Sequence, residues 1–150
     1  MKSYETLADL KPLVGEVIGT SDWVFIDQRR INMFAECTGD MQWIHVDAER
    51  AKHGPFGTPI AHGFLTLSLM SAFMGTGFEI RKSLMGVNYG LNKVRFIKPV
   101  PVNSRVRGHF KLVGWDAIDN GGAQLTIEVS MELEGSDKPV CVAESITRRY

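Results

Sequence analysis

The second half of the chain alternates hydrophobic and polar residues with the period of a β-strand. Residues 105–112 pair apolar positions with charged ones, and residues 124–134 alternate in the same way. A period of two indicates a strand with one buried face. Two further strands are predicted at residues 89–98 and 139–148, and the Asn-Gly-Gly sequence at 120–122 is typical of a turn between strands.

The first half of the chain contains an early strand and a helix. Residues 16–27 carry a cluster of apolar side chains and are predicted to form one strand, which ends at Asp27, a good N-cap for a helix. Helical spacing follows, and Gly39 suits the left-handed conformation that closes a helix. Residues 46–60 hold two glycines and two prolines and predict a loop, with one helical turn at 47–52.

A second helix is predicted at residues 61–75, where apolar residues lie on nearly every face. We expect such a helix to be buried on all sides, with the strands wrapped around it. One early strand, this helix and four later antiparallel strands predict an α+β fold, in which an antiparallel sheet surrounds a long central helix in one domain of residues 1–150. Unpaired sheet edges favour pairing with a second copy of the chain.

Composition and charge narrow the class of partner. Seventeen basic and seventeen acidic residues cancel, and neither sign forms a long run, so we expect no nucleic-acid partner and no membrane partner. The N-terminal residues lack the apolar core of a signal peptide, and the cytoplasm is the expected location. Cys37 and Cys141 lack the spacing of a zinc or redox motif, and both are expected to be reduced and buried. A small partner fits these observations.

Polar chemistry is concentrated just after Gly39. Asp40 offers an ionised acceptor and His45 can accept or donate a proton, so the pair could hold and activate one water molecule. The N–H of Gly63 lies at the start of the predicted central helix, where free backbone N–H groups can stabilise an enolate oxygen.

Structural interpretations of the same residues stay open. Glycine at position 63 could serve close packing, and His62 could be a helix-entry residue that is hydrogen-bonded to the loop. A helix that ends at Gly-Asp and a histidine in a loop are both common. No metal site is predicted, because the candidate ligands lack the usual spacing: His45, Asp47, His53 and His62.

The segment TGDMQWIHVDAERA resembles the G-D-x-N-P-x-H signature of MaoC-like (R)-specific enoyl-CoA hydratases. PFGTPIAHGFLTLSLMS resembles the segment that leads into their central helix, and the resemblance spans nearly the whole chain. It implies the hot dog fold and the reversible hydration of a trans-2-enoyl thioester to the (3R)-3-hydroxyacyl thioester. GDMQWIHVD and VNYGLNKVRFIKPVPVNSRVR further resemble the nodulation protein N-like subgroup.

The resemblance implies roles for individual residues. Asp40 acts as the base and His45 as its partner acid, the Gly63 N–H binds the thioester oxygen, and Ser71 carries a hydroxyl that assists the aspartate. Gln42 stands where the family usually has Asn, and Trp43 where it has Pro.

Six residues are predicted to bind substrate: Gln42, Trp43, Phe56, His62, Lys93 and Arg95. Trp43 and Phe56 could narrow the acyl channel or pack in the core. Lys93, Arg95 and Lys98 lie in or beside the strand that ends before Pro99 and could supply cationic contacts to the phosphates of the substrate. Lys93 and Arg95 are expected to share one strand face, which could equally be an ordinary solvated face.

The resemblance also implies partners. The substrate is an acyl-CoA thioester, no cofactor is needed beyond the CoA or phosphopantetheine that the substrate carries, and the chain forms a homodimer. Two alternatives remain. One is an acyl-CoA thioesterase on the same fold, and the other is a non-catalytic acyl-thioester binding module in which Gln42 and Trp43 displace the productive geometry.

Overall fold

A six-stranded antiparallel sheet frames the protein, and the computed structural model describes residues 1–150. The chain forms eight strands: β1 (Lys2–Tyr4), β2 (Val17–Thr20), β3 (Val24–Ile26), β4 (Phe78–Ile80), β5 (Gly86–Phe96), β6 (Ser104–Ala117), β7 (Ala123–Leu133) and β8 (Cys141–Arg149). The large sheet has the order β2-β6-β7-β8-β5, and β3 also pairs with β6. Strands β1 and β4 form a separate parallel pair, which the sequence pattern did not predict.

The helices begin and end largely where capping residues predict. They are α1 (Gln28–Thr38), α2 (Trp43–Val46), α3 (Ala48–Lys52), α4 (Gly63–Ser68) and α5 (Met70–Gly77). The Asp27 side chain accepts a hydrogen bond from the Arg30 N–H at 2.8 Å, and Gly39 closes α1 with a φ of 78°. Helix α3 is the helical turn predicted in the loop, and Asp47 caps it. None of the helices combines the length and apolar character needed to cross a membrane.

The later strands follow the predicted alternation. Phe110 on β6 is fully buried, as are the inward-facing residues of β7. Strand β5 covers residues 86–96 instead of the predicted 89–98, and β8 covers 141–149 instead of 139–148. Alternation therefore identifies these strands, while the ends of β5 and β8 shift by one to three residues and β6 continues beyond residue 112 to Ala117.

The prediction of one early strand over residues 16–27 is wrong, because residues 21–23 separate β2 from β3. Ser21 causes the interruption. Its N–H donates to the Gly108 carbonyl at 2.8 Å, and its hydroxyl accepts from the Gly108 N–H at 2.9 Å. A side-chain oxygen thus replaces a backbone carbonyl in the ladder. Both short strands still pair with β6.

The central helix exists, but only part of its surface is buried. Helices α4 and α5 meet at Leu69, whose φ of −65° and ψ of −13° remain near-helical. Leu65 and Phe73 face the core, whereas Phe64 is 67% exposed and Ser71 is also exposed. The predicted burial on all sides is therefore wrong for a single chain, since the sheet of that chain covers only one side.

Glycines allow the central helix to approach the sheet closely. A Cβ on Gly77 would lie 2.5 Å from the ring of Phe110, and a Cβ on Gly19 would collide with the Gly77 carbonyl. Only glycine fits at these two positions. The close approach lets Phe73 and Phe110 become completely buried between helix and sheet.

Strand β5 is an edge strand with an irregular register. The register with β8 shifts between Asn92 and Arg95, and Lys93 has a positive φ of 48°. Regular alternation does not hold across such a bulge. Simple alternation therefore does not decide whether Lys93 and Arg95 share one face, although both are exposed, and Arg95 pairs with Val142.

The two cysteines differ in burial. Cys141 is completely buried, and burial raises the pKa of its thiol to about 11. Cys37 is exposed, so the expected burial is wrong for this residue. Both thiols are free.

Candidate active site

A cavity of about 320 Å³ opens beside the start of α4. His45 and Gly63 both line it, together with the aromatic rings of Phe56 and Phe96. Lys98 is the cationic residue of its wall, and most of the remaining wall is apolar. An apolar cavity with a few polar groups is typical of a site for a small molecule.

The short helix α2 holds His45 in a fixed orientation. The ring is 6% exposed, and its Nδ1 donates to the Ile60 carbonyl at 2.7 Å. The His45 carbonyl accepts from the Gln28 side chain at 2.8 Å. Since a carbonyl oxygen only accepts, Nδ1 carries the proton of the neutral ring. Nε2 is then left as a proton acceptor.

His62 supports both members of the predicted catalytic pair. Its ring stacks on His45 with centroids 3.8 Å apart, and its Nε2 donates to the backbone carbonyl of Asp40 at 2.9 Å. The side chain is buried, and its Nδ1 has no hydrogen-bond partner. This residue therefore ties the Asp40 loop to the start of α4, in agreement with the open interpretation of a helix-entry histidine.

The surroundings of His45 keep its ring neutral. Burial is the largest effect and lowers the pKa of the imidazole below its ordinary value of 6.5. The hydrogen bond to Ile60 and the charge of Asp40 raise the pKa, whereas the neighbouring His62 lowers it. The net direction is downward, so His45 is uncharged at pH 7 and its Nε2 is ready to accept a proton.

The carboxylate of Asp40 lies close enough to share one water molecule with His45. A carboxylate oxygen of Asp40 and ring nitrogens of His45 and His62 all lie within 4.8 Å of one another. Two hydrogen bonds of about 2.8 Å to a single water span about 4.5 Å. Asp40 is exposed, so its carboxylate is accessible to solvent.

A metal ion shared by both rings does not fit this cluster. A nitrogen ligand bonds zinc in the plane of its ring, at about 2.1 Å. An ion bound to both histidines would therefore have to lie in both ring planes. The rings of His45 and His62 are stacked with centroids 3.8 Å apart and planes only 24° from parallel, so the two planes do not meet near an ion at that bond length.

The backbone N–H of Gly63 is free in the first turn of α4 and has no acceptor in the chain. It belongs to the wall of the cavity that also contains His45. A Cβ at this position would lie 3.1 Å from the ring of Phe96. The glycine therefore also permits close packing, as the alternative interpretation stated.

Gln42 and Trp43 do not line this cavity. Gln42 is the N-cap of α2, and its N–H donates to the Asp40 carboxylate at 3.4 Å. Trp43 packs under the Arg50 guanidinium, 4.4 Å from its ring centroid, and a Cβ on Gly54 would lie 2.8 Å from the indole. Gln42 and Trp43, the two departures from the usual motif, therefore make contacts within the segment around α2 and α3. Of the two candidate aromatic residues, Trp43 and Phe56, only Phe56 lines the cavity.

Ser71 lies apart from the Asp40–His45 pair within one chain. It is exposed on α5, where its hydroxyl is 3.5 Å from the Asn88 amide. Eight residues separate it from Gly63, and they correspond to about 12 Å along a helix. A role for Ser71 beside Asp40 would need the hydroxyl of a second copy.

The predicted phosphate contacts Lys93 and Arg95 lie outside the cavity wall, whereas Lys98 belongs to it. The Lys98 ammonium donates to the Ser136 hydroxyl at 3.0 Å and lies 3.4 Å from Asp137. The sequence does place Lys98 at the end of the strand. Lys98 itself lies beyond the end of β5 at Phe96.

The fold matches solved structures of hot dog proteins. The monoamine oxidase regulatory protein from Archaeoglobus fulgius superposes with a TM-score of 0.79 at 22% identity, covering 99% of this chain and 96% of that protein. The (R)-hydratase from A. caviae superposes with a TM-score of 0.69 at 22% identity, covering 89% and 94%. The predicted hot dog fold is confirmed.

Sequence comparison gives the family. Residues 9–134 match the family described as MaoC like domain. The 3-hydroxyacyl-thioester dehydratase Z of Mycobacterium tuberculosis is 53% identical over 148 residues, which are 99% of this chain and 98% of that protein. Nodulation protein N of Rhizobium leguminosarum bv. viciae is 47% identical over 146 residues, covering 95% and 89%. The chain therefore belongs to the MaoC-like dehydratase family and is a hydro-lyase.

Proposed function

We propose that this protein adds water reversibly to a trans-2-enoyl thioester and forms the (3R)-3-hydroxyacyl thioester. Two observations carry the proposal: a carboxylate oxygen of Asp40 lies within 4.8 Å of a ring nitrogen of His45, and His45 lines the cavity that also contains Gly63. The similarity to a 3-hydroxyacyl-thioester dehydratase supports the substrate class. The substrate supplies CoA or phosphopantetheine, and the proposal needs neither a cofactor nor a metal ion.

The reaction starts from one water held between Asp40 and His45. Both groups accept hydrogen bonds from this water, so an oxygen lone pair is free to attack C3 of the enoyl group. As the new C–O bond forms, His45 Nε2 takes a proton from the water and Asp40 stabilises the resulting imidazolium. This order revises the predicted roles, because neutral His45 has no proton on Nε2 to give at the outset.

The electron pair of the double bond moves onto the thioester oxygen as the water attacks. The Gly63 N–H is proposed to stabilise this enolate oxygen, which carries more charge than the carbonyl of the substrate. The proton held by His45 then passes to C2, and the enolate collapses to the saturated thioester. The hydroxyl at C3 and the proton at C2 together account for one water, and the enzyme returns to its initial state.

The proposal is tested by mixing the purified chain with crotonyl-CoA and with a longer trans-2-enoyl-CoA. We expect loss of the enoyl-thioester absorbance without release of free thiol. Free thiol from saturated acyl-CoA would instead support a thioesterase. A folded protein that binds these thioesters without turnover would support the non-catalytic module. Trp43 packs against Gly54 and Arg50, and a carboxylate oxygen of Asp40 still lies within 4.8 Å of a ring nitrogen of His45.

A homodimer is the proposed assembly. The outer edge of β5 has no partner strand, and apolar side chains are exposed beside it on β5 and α4. Tyr89 is 58% exposed and Phe64 is 67% exposed. Pairing two such edges would cover them and could bring the partner's Ser71 to Asp40. Light scattering should give twice the mass of one chain, and a monomer would contradict the assembly.

One domain over residues 1–150, the cytoplasmic location and the absence of nucleic-acid and membrane partners stay predictions.

Lys98 is expected to recognise the phosphates of CoA. Replacing it with alanine should raise KM for crotonyl-CoA by about three- to tenfold and leave kcat nearly unchanged, since one charge-assisted contact far from the reacting carbons is lost. The N-acetylcysteamine thioester of crotonate lacks phosphates and is the control substrate. An equal rise in KM for both substrates would show that Lys98 acts on the shape of the cavity, and a larger effect from Lys93→Ala or Arg95→Ala would restore the original assignment.

Catalysis should depend on pH through His45. Because burial lowers the pKa of this ring below 6.5, kcat/KM is expected to stay level near pH 7 and to fall only at a midpoint below 6.5. The unfolded chain binds the same proton near pH 6.5, so the stabilising contribution of neutral His45 is complete above that pH and is lost as pH falls through the folded-state pKa. A midpoint above 6.5 in the kcat/KM profile would contradict the described environment.

A further inference from the structure

His62 is buried beside the proposed catalytic pair, but it does not line the cavity that contains His45. Its side chain is 2% exposed. A contact with the substrate was one expectation for this residue, and its absence from the cavity wall gives that expectation no support. A polar side chain that reaches neither solvent nor the cavity needs another explanation.

Only one of the two ring nitrogens of His62 has a partner. Nε2 donates to the backbone carbonyl of Asp40 at 2.9 Å. Since a carbonyl oxygen only accepts, Nε2 carries the proton of the neutral ring, and Nδ1 is left as an acceptor. Nδ1 is buried, and no group of the chain donates to it. Buried polar atoms without a partner are uncommon because they lose their hydrogen bonds to water and gain none in return.

Aromatic rings contact His62. The ring of Phe34 lies 5.0 Å away between centroids, and the ring of His45 stacks at 3.8 Å. A phenylalanine at position 62 could make similar ring contacts without leaving a buried acceptor unpaired. Stability alone therefore favours an apolar ring here. Sequences break such local rules mainly at functional sites, which points to a function for the histidine.

The contacts of His62 join the three groups of the proposed reaction. The residue directly precedes Gly63 in the chain, its ring stacks on His45, and its Nε2 bonds to the backbone of Asp40. Asp40 itself lies between α1 and α2, outside both helices. The position of its carboxylate therefore depends on what holds this short segment.

The firmest hydrogen bond of Asp40 comes from His62. It is 2.9 Å long, whereas the bonds that Asp40 makes with the Thr38 hydroxyl and the Gln42 N–H are both 3.4 Å. Both longer bonds join residues only two positions apart in the chain. Of these three bonds, the one from His62 alone ties Asp40 to a distant segment, 22 positions away.

We propose that His62 is a positioning residue for the hydration proposed above, on which this role rests. Its Nε2–H holds Asp40 where the carboxylate and His45 can share one water. The substrate does not touch His62, so the effect passes through Asp40. A displacement of about 1 Å in such an arrangement can lower a rate by about 10²-fold. The role is therefore seen in kcat, and the unpaired Nδ1 is what the fold tolerates for it.

The variant His62→Phe tests this role, because it keeps an aromatic ring and removes both nitrogens. We expect kcat for crotonyl-CoA to fall about 10- to 100-fold, with KM within about twofold, since His62 is not part of the cavity wall. The melting temperature should equal or exceed that of the wild type. The buried Nδ1 is gone, and the carbonyl that loses its donor belongs to Asp40, an exposed residue at which water can replace the donor.

A purely structural role for His62 predicts the opposite pattern, with a lower melting temperature and an unchanged kcat for each folded molecule. The matched control is His53→Phe, because His53 is exposed and lies outside the cavity. That variant should keep the wild-type kcat.

Two further variants separate the hydrogen bond from the packing of the ring. His62→Gln places an amide N–H at about the reach of Nε2 and should recover part of the lost kcat. The double variant Asp40→Asn/His62→Phe should turn over about as fast as Asp40→Asn alone, because His62 acts through Asp40. Independent effects would multiply instead.

Each alternative outcome is decisive. Wild-type kcat in folded His62→Phe, multiplied losses in the double variant, or a His62→Gln variant as slow as His62→Phe would overturn the proposal. Loss of folding in His62→Phe would also overturn it, because stability would then depend on the histidine. Absence of turnover in the wild type would contradict the hydration itself, and with it this role, whereas the other outcomes leave the hydration in place.

Discussion

Replacing His45 with alanine is expected to reduce turnover of a trans-2-enoyl thioester by about 10²–10⁴-fold, the usual contribution of a positioned proton-transfer group. The loss should lie in kcat, because the imidazole takes its proton as the water attacks. The measurement is the initial rate of loss of enoyl-thioester absorbance at saturating crotonyl-CoA. The variant should also unfold more easily by about 1–3 kcal/mol, since the Ile60 carbonyl loses its donor inside the protein.

A matched histidine is available as the control. His53 is exposed at the end of α3 and takes no part in the cavity, so His53→Ala should keep the wild-type rate. Circular dichroism establishes that each variant is folded at the assay temperature. Wild-type kcat in a folded His45→Ala protein would show that His45 takes no part in the chemical step.

Replacing Asp40 with asparagine is expected to lower kcat by about 10²–10³-fold, because the amide keeps the shape but loses the charge that stabilises the imidazolium. The backbone carbonyl that accepts from His62 is unchanged, so the loop should stay in place. The charge of Asp40 raises the pKa of His45, and its removal should shift the midpoint of the residual pH profile to lower pH. Both readouts come from one series of rate measurements.

The same substitution at Asp116 is the control for the loss of a carboxylate. Asp116 is exposed near the end of β6, and Asp116→Asn should leave rate and pH profile unchanged. An Asp40→Asn variant with the wild-type rate, or with an unshifted profile, would show that the carboxylate does not act on His45.

The sequence predicts the strands of this fold better than the surroundings of its helix. Alternation depends only on the side chains of one strand, and for this reason β6 and β7 were identified closely. The burial of α4 and α5 depends on what contacts each face, and one chain leaves Phe64 and Ser71 exposed. The interruption at Ser21 depends on a hydroxyl that bonds to a strand 87 positions away, which no local pattern can show.

The candidate site likewise contains some features that follow from local sequence and others that depend on contacts between distant segments. The motif places Asp40 and His45 five residues apart, on a loop and on the short helix α2 that follows it. Their approach therefore follows from local geometry, although their catalytic roles remain predictions. The stacking of His62 on His45 joins two segments through the fold. Of the three candidate cations, Lys98 alone lines the cavity, and it lies beyond the end of β5. Contacts between distant segments and irregular register are therefore what sequence reasoning missed.

The most direct test of the central claim is to follow the oxygen of the activated water. Crotonyl-CoA is incubated with the enzyme in water enriched in ¹⁸O, and the products are separated and analysed by mass spectrometry. If Asp40 and His45 direct water to C3, the label will be in the hydroxyl group of 3-hydroxybutyryl-CoA. Label in the carboxylate of a free acid, with CoA released, would show that the water attacks the thioester carbonyl and would contradict the hydratase account.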